Sequence, residues 1–231
     1  MSRIGHGQVR AMPMLCMFAI VSMSVVACAS RAKAPHAVPH RISDIQTLLV
    51  LPFDSATERH GVGSTVQCSI CGGVFVTGSV TSDNETYMTE RLLTFLKTKT
   101  TYTLVPPGSG EGVRSKLLSE SVGLSDRELI VEMGRSLKVD AVVTGTIYRF
   151  GQRVGTRFSV DTPASVAFGI HLIRVADGRL LWTGHSDETQ QPLSENLFKI
   201  SRFIKGGGGW LTAEELATLE LNRVMTDFPL P

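Results

Sequence analysis

The sequence predicts a single α/β domain: a mixed sheet with crossover helices that finishes in an antiparallel hairpin. Three patterns predict it. Strand-length apolar runs alternate with amphipathic helical stretches as far as residue 137. Three Ser/Thr-x-x-Glu spacings stand just ahead of helical stretches, where a side chain can cap the first free N–H groups. Finally, Asp177-Gly178 separates two strand-like runs, as a tight hairpin turn requires.

Taken in chain order, Thr47-Leu48-Leu49-Val50-Leu51-Pro52-Phe53 reads as a first strand buried on both faces. Residues 54–80, rich in Gly, Ser, Thr and Val, read as a long loop or small hairpin, with a Cys-x-x-Cys insert near 60–80. The box Ser82-Asp83-Asn84-Glu85 heads a helix with Met88, Leu92, Phe95 and Leu96 on one stripe. Tyr102-Thr103-Leu104-Val105 is a short strand that stops at Pro106-Pro107. Ser125-Asp126-Arg127-Glu128 opens a helix burying Leu129, Ile130, Met133 and Leu137. Strands follow at 139–150 and 165–175, the second with Val166, Phe168, Ile170 and Leu172 on one face, and Leu180-Leu181-Trp182 returns beside it. Leu193, Leu197, Ile200 and Ile204 suggest a helix ending at four glycines, 206–209. Thr212-Ala213-Glu214-Glu215 then caps a last helix with Leu221, Val224, Met225 and Phe228 in line.

Composition narrows the function classes. With 6% aromatic residues and a formal charge of +2 over 231 residues, there is neither a stacking platform nor a basic footprint, so nucleic acid is not an expected partner. The apolar excess sits at the amino terminus, where residues 1–27 carry Arg3 and Arg10, no acidic residue and an apolar run. Ser22 and Ser24 break that run short of the about 20 residues a membrane span needs, so it reads as a secretory signal. Its end, Val25-Val26-Ala27-Cys28, resembles the bacterial lipoprotein box, in which the cysteine after the cut is acylated. The resemblance implies cleavage after Ala27, acylation of Cys28 and a lipid bilayer as partner; the alternative is a plain signal peptide with a chance cysteine. Ala29 stands where Asp would mark inner-membrane retention under the enterobacterial sorting rule, which implies the outer membrane, periplasmic side. Residues 28–46 then form a tether of roughly 20–25 Å reach, leading to the domain at 47–231.

Three segments of that domain carry a further resemblance: Leu49-Val50-Leu51-Pro52-Phe53, the stretch from Gly134 to Thr146 containing Val139-Asp140-Ala141-Val142-Val143, and Leu172-Ile173-Arg174-Val175-Ala176-Asp177-Gly178-Arg179-Leu180-Leu181-Trp182. Together they resemble the α/β domain shared by curli-secretion-channel lipoproteins, penicillin-binding-protein activator lipoproteins and the amino-terminal domain of the Tol-Pal propeller protein. The likeness spans about residues 47–190. It implies an envelope protein that binds other envelope proteins, with a homo-oligomer among the arrangements it allows. The cysteine insert and the glycine run fall outside the shared pattern.

Cys68-Ser69-Ile70-Cys71 is the one spacing with metal or redox precedent, and three readings compete for it. A redox pair should open a helix, whereas the flanks here break helices. A zinc knuckle has its cysteine half, with His60 as a third ligand and a dimer partner completing four; His36, His40, His171 and His185 show no paired ligand spacing. The third reading is a local disulfide in an oxidising compartment, since Cys16 is removed and Cys28 acylated. The glycine run lacks the strand before it and the Gly-Lys-Ser/Thr after it that a phosphate loop needs. His185-Ser186-Asp187 cannot form a triad, because consecutive strand residues point to alternate faces. No cofactor is expected beyond zinc at Cys68 and Cys71, and no catalytic set is legible.

The sequence therefore leads to a non-catalytic accessory, assembly or activator subunit, anchored in the outer membrane. A metal-binding or redox protein using Cys68 and Cys71 is the second reading. A secretion-pore subunit like the curli channel is the third, and Arg149, Arg153 and Arg157 speak against it, because a pore strand needs an apolar outer face. Replacing Cys28 with Ser should abolish metabolic lipid labelling and leave an uncleaved precursor or a soluble form. Unchanged membrane partitioning of a correctly cleaved Cys28→Ser protein would refute acylation.

Overall fold

Strand β1 (Thr47–Val50) is unbroken in hydrophobicity because both of its edges and both of its faces are covered. The computed structural model describes residues 42–120, 123–191 and 209–231. In it β1 lies between two parallel neighbours, β5 (Thr103–Val105) and β6 (Ala141–Gly151), and Leu48, Leu49 and Val50 have no exposed surface. Asp140 fixes the start of this pairing. Its carboxylate accepts the N–H groups of Gln46 (2.9 Å) and Thr47 (2.8 Å) and the Thr47 hydroxyl (2.8 Å).

The parallel half needs crossovers, and the helices supply them. α2 (Ser82–Lys99) carries the chain from β1 to β5. α3 (Gly108–Glu120) and α4 (Asp126–Ser136) carry it from β5 to β6. The remainder is antiparallel: β9 (Ser165–Arg174) pairs with β6 along its length, and β10 (Leu180–Thr189) pairs with β9. The resulting order is β10-β9-β6-β1-β5, with β2 (Asp54–Ser55) added parallel to the far end of β6. The sheet is mixed, as the sequence predicts, and Gly178 makes the β9–β10 turn at φ +69°.

Each face has its own cover. α2 and α5 (Ala213–Val224) press Met88, Leu92, Leu96, Leu216, Leu221 and Val224 onto Val143, Ile170 and Leu172. On the opposite face α4 sets Ile130, Val131 and Met133 against Leu49, Val142 and Ile173. The other end of that face is covered by the insert. There α1 (Ala56–His60) and the hairpin of β3 (Thr65–Gln67) and β4 (Val74–Val76) form a separate small core over β6 and β9. A second small hairpin, β7 (Val154–Gly155) with β8 (Val160–Thr162), leads from β6 to β9.

Ser125 and Thr212 cap their helices as expected, each paired reciprocally with a glutamate three residues on. The cap of α2 lies one residue earlier than the sequence suggested. Thr81 caps it, and the partner is the Asn84 amide rather than Glu85. Helix α3 was not expected, because Gly108, Gly110 and Gly112 mask it and only Val113 and Leu117, both partly buried, rest on the core beside α4. Gly110 is its one buried residue, and a side chain there would press on Met133 and Leu51. The expected leader, Cys28, the expected tether as far as residue 41 and the whole of the expected helix at 193–204 lie outside the described residues. No helix among the described residues is long and apolar enough to cross a membrane.

Gly134, in the interior of α4, gives a sharp test of how closely helix and sheet approach. In an open helix Gly→Ala stabilises by about 0.5–1 kcal/mol. Here a Cβ would sit 2.4 Å from Val175 Cγ2 and 2.9 Å from Val142 Cγ2, and neither short branched side chain can swing away. Overpacking of this kind costs about 1–3 kcal/mol. Gly134→Ala should therefore reverse the usual sign, with a net loss of about 1 kcal/mol and a Tm lower by about 2–4 °C in thermal unfolding. A stabilised variant would contradict this packing.

Candidate functional site

The β3–β4 hairpin alternates so that Val66 and Phe75, directly opposite each other, point inward while their neighbours face solvent. Phe75 lies flat on Tyr148, ring centres 4.0 Å apart and planes 9° from parallel. Tyr148 is aimed at the hairpin by a bulge. Ile147 pairs with Phe168 and Arg149 with Ala167, so Tyr148 is the extra residue in β6. Without it the side-chain alternation would carry Arg149 into the core on the opposite face. With it, Arg149 stays on the hairpin side, donating to Ser165 Oγ (2.6 Å) and the Val76 carbonyl (3.1 Å) and pairing with Asp187.

Cys68-Ser69-Ile70-Cys71-Gly72-Gly73 closes the hairpin. The Cys68 N–H donates to the Gly73 carbonyl (2.7 Å) and the Gly72 N–H to the Cys68 carbonyl (2.9 Å), with Gly72 at φ +75° making the tight reversal. Both residues between the cysteines are tied to the start of α4: Ser69 Oγ donates to Asp126 (2.7 Å), and Arg127 donates to the Ile70 carbonyl (2.6 Å). The turn also points amides at sulfur. The N–H groups of Ile70 and Cys71 face Cys68 Sγ, and that of Gly73 faces Cys71 Sγ at 3.5 Å.

The third side chain at this place is His171. It is fully buried in the middle of β9, flanked by Thr144 on β6 and Thr183 on β10. Its Nε2 lies 3.3 Å from Cys68 Sγ and its Nδ1 lies 3.0 Å from Thr183 Oγ1. The ligand atoms of Cys68, Cys71 and His171 all fall within 4.8 Å of one another. Cys68 is buried at 7% exposure, Cys71 is half-buried, and both are free thiols here. His60 stands apart from them, exposed at the end of α1. The histidine the sequence pairs with the cysteines is thus replaced by one 103 residues from Cys68. The visible clue was an ionisable residue inside the apolar run Ile170-His171-Leu172-Ile173, where burial demands a partner.

Electrostatics separate the two thiols. Burial pushes Cys68 up, but hydrogen bonds with His171 and Tyr148 and from the N–H groups of Cys71 and Ile70 outweigh it and bring the thiol down to about 6. Burial raises Cys71, and the nearby Cys68 adds to the rise despite the Gly73 N–H. Burial also lifts the Tyr148 phenol, which keeps it a hydrogen-bond donor to Cys68. Chemically, the group can hold a thiolate-seeking metal or present one activated sulfur. The cysteines sit in a turn and not at a helix start, unlike a thioredoxin-type pair.

His185, Ser186 and Asp187 diverge as strand geometry requires. His185 is exposed at the edge of Phe75, while Ser186 is buried on the other face and donates to Glu220 (2.9 Å). Asp187 pairs with Arg149. Trp182 packs edge-on to Phe228, ring centres 5.0 Å apart.

No protein-family model matches this sequence, and no curated protein does. Solved structures similar to the chain include a PelC dodecamer from Paraburkholderia phytofirmans, at 11% identity over 83% of this chain and 95% of that one, TM-score 0.47. The LpoB C-terminal domain from Escherichia coli is 18% identical over 64% of this chain and 86% of that one, TM-score 0.39. Lipoprotein GNA1162 from Neisseria meningitidis is 15% identical over 69% and 96%, TM-score 0.41.

Thiolate absorbance of the reduced, metal-free protein should rise in two steps, the first with a midpoint near pH 6 and the second well above it. Tyr148→Phe or His171→Ala should move the first midpoint up toward the ordinary value of 9.0, because each removes a hydrogen bond that favours the thiolate. A single step near 9 in the parent protein would contradict the arrangement.

Proposed function

We propose that this chain is a lipid-anchored envelope protein that faces the periplasm from the outer membrane and acts as a non-catalytic accessory, assembly or activator subunit through protein contacts. The observation that carries the reading is the order Arg3, Arg10, apolar run, Val25-Val26-Ala27-Cys28, followed by a polar stretch and one α/β domain. After cleavage behind Ala27 the chain keeps 21 basic and 21 acidic residues, so charge would not hold it to anionic lipid. Acyl chains on Cys28 would, at about 0.8 kcal/mol per buried methylene, with two or more chains needed for stable anchoring. The mechanism is then one of confinement: a domain on a short tether meets membrane-proximal partners at a raised effective concentration.

The described surface supports contact with protein. Phe158, between β7 and β8, is 84% exposed, and a buried ring of this size is worth roughly 1.5–3 kcal/mol that a partner would recover. Val62, Val74 and Val76 add exposed apolar surface on and beside the β3–β4 hairpin.

A photo-crosslinking benzoylphenylalanine at position 158, activated in living cells, tests the reading through mass spectrometry of the adducts. Adducts with envelope proteins are expected, and they should fall at least several-fold when Cys28→Ser releases the tether. Absence of protein adducts, or adducts indifferent to Cys28→Ser, would overturn it.

A further inference from the structure

We propose that Cys68, Cys71 and His171 bind one Zn(II) ion per chain, clamping the β3–β4 hairpin to β9. Geometry is the first argument. Zn–S bonds of about 2.3 Å and Zn–N bonds of about 2.0–2.1 Å put tetrahedral S and N ligands roughly 3.5 Å apart. Cys68 Sγ and His171 Nε2 are already 3.3 Å apart, with Cys71 Sγ in the same 4.8 Å cluster. Small adjustments of two side chains would seat the ion.

The surrounding hydrogen bonds are those that such a site requires. Three backbone N–H groups, from Ile70, Cys71 and Gly73, point at the two sulfurs, an arrangement that favours thiolates over thiols. On the histidine side Thr183 supplies the outer partner. Once Nε2 gives its lone pair to the metal, the ring proton sits on Nδ1, and Thr183 Oγ1, 3.0 Å away, is placed to accept it. Nε2 is then the nitrogen that faces the sulfurs, and Thr183 holds the ring in place as an outer partner of a metal-bound histidine. Binding takes the Nε2 lone pair, and whatever protons the two sulfurs and Nε2 hold pass to Nδ1 or to solvent.

Charge and burial agree. Two thiolates and a neutral imidazole cancel the double charge of zinc, leaving a neutral centre where Cys68 is 7% exposed and His171 fully buried. Soft sulfur with imidazole suits zinc over magnesium or calcium. All three ligands come from one chain, so no second copy is needed to assemble them. Water completes the tetrahedron on the half-buried Cys71 side. The proposal is independent of the anchoring and partner reading above.

The test uses the full-length protein purified in detergent with reductant, stripped with chelator and titrated with Zn(II), then with Co(II) as a spectroscopic probe. Expected are one metal per chain, thiolate-to-cobalt charge-transfer bands of two sulfur ligands and tetrahedral d–d bands. Cys71→Ser and His171→Ala should lose affinity at least 100-fold, and Thr183→Val should lose about 10–100-fold. His60→Ala should bind like the parent. Because His171 is buried and its variant risks misfolding, the half-buried Cys71 and the exposed Thr183 keep the test decisive, with folding checked by circular dichroism. No metal uptake by the reduced, folded chain would overturn the proposal. So would a cobalt spectrum with fewer than two thiolates, or binding by folded Cys71→Ser equal to that of the parent.

Discussion

The pairing of β6 with β9 is the constraint on which the rest of the structure depends. β6 is the one strand that meets both halves of the sheet, parallel to β1 and β2 and antiparallel to β9. Its register against β9 decides which residues reach each face. Val143, Ile170 and Leu172 meet α2 and α5, while Val142 and Ile173 meet α4. A slip of one residue would exchange these sets and drive Thr144 and His171 into the larger apolar core. The bulge at Tyr148 uses the same rule locally. It shifts the alternation once, so that the strand can be apolar beneath α5 and still offer a phenol and a guanidinium to the insert.

The polar groups of the insert face illustrate how burial is made tolerable. His171 lies between two threonines and beside a thiol, and Thr77 is saturated by Ser64 and the Gly61 carbonyl. Each buried polar group would cost about 1–3 kcal/mol if left unpaired. Here each has a partner supplied by a different element, so the pairing also specifies how those elements meet. The Asp140 carboxylate does the same at the opposite end of the sheet, joining the start of β1 to the approach of β6.

Local rules made much of the fold legible. The Ser125 and Thr212 boxes, the Asp177-Gly178 turn and the double-sided burial of Leu48-Leu49-Val50 each depend on residues a few positions apart. Two features were masked by neighbouring residues, each in its own way. Helix α3 leans on the core through little more than Val113 and Leu117, too short a stripe to stand out against three glycines. The Thr81 cap was hidden because Ser82 offers the same chemistry one residue later, and only Asn84 closing back on Thr81 distinguishes them. The site was half legible. The spacing of Cys68 and Cys71 is local, but His171 reaches them through the strand register and through the hairpin folding back over the sheet. Neither leaves a trace in spacing.

The separation of Cys68 from His171 along the chain also sets a temporal order. The turn from Cys68 to Gly73 involves six consecutive residues and can close on the time scale of a hairpin, microseconds. His171 meets it across 103 residues of chain, a long-range contact of the kind that contact order makes slow to form. In the interval two thiols share a tight turn with no imidazole between them. In an oxidising compartment, disulfide formation and the assembling sheet would compete for the same two sulfurs.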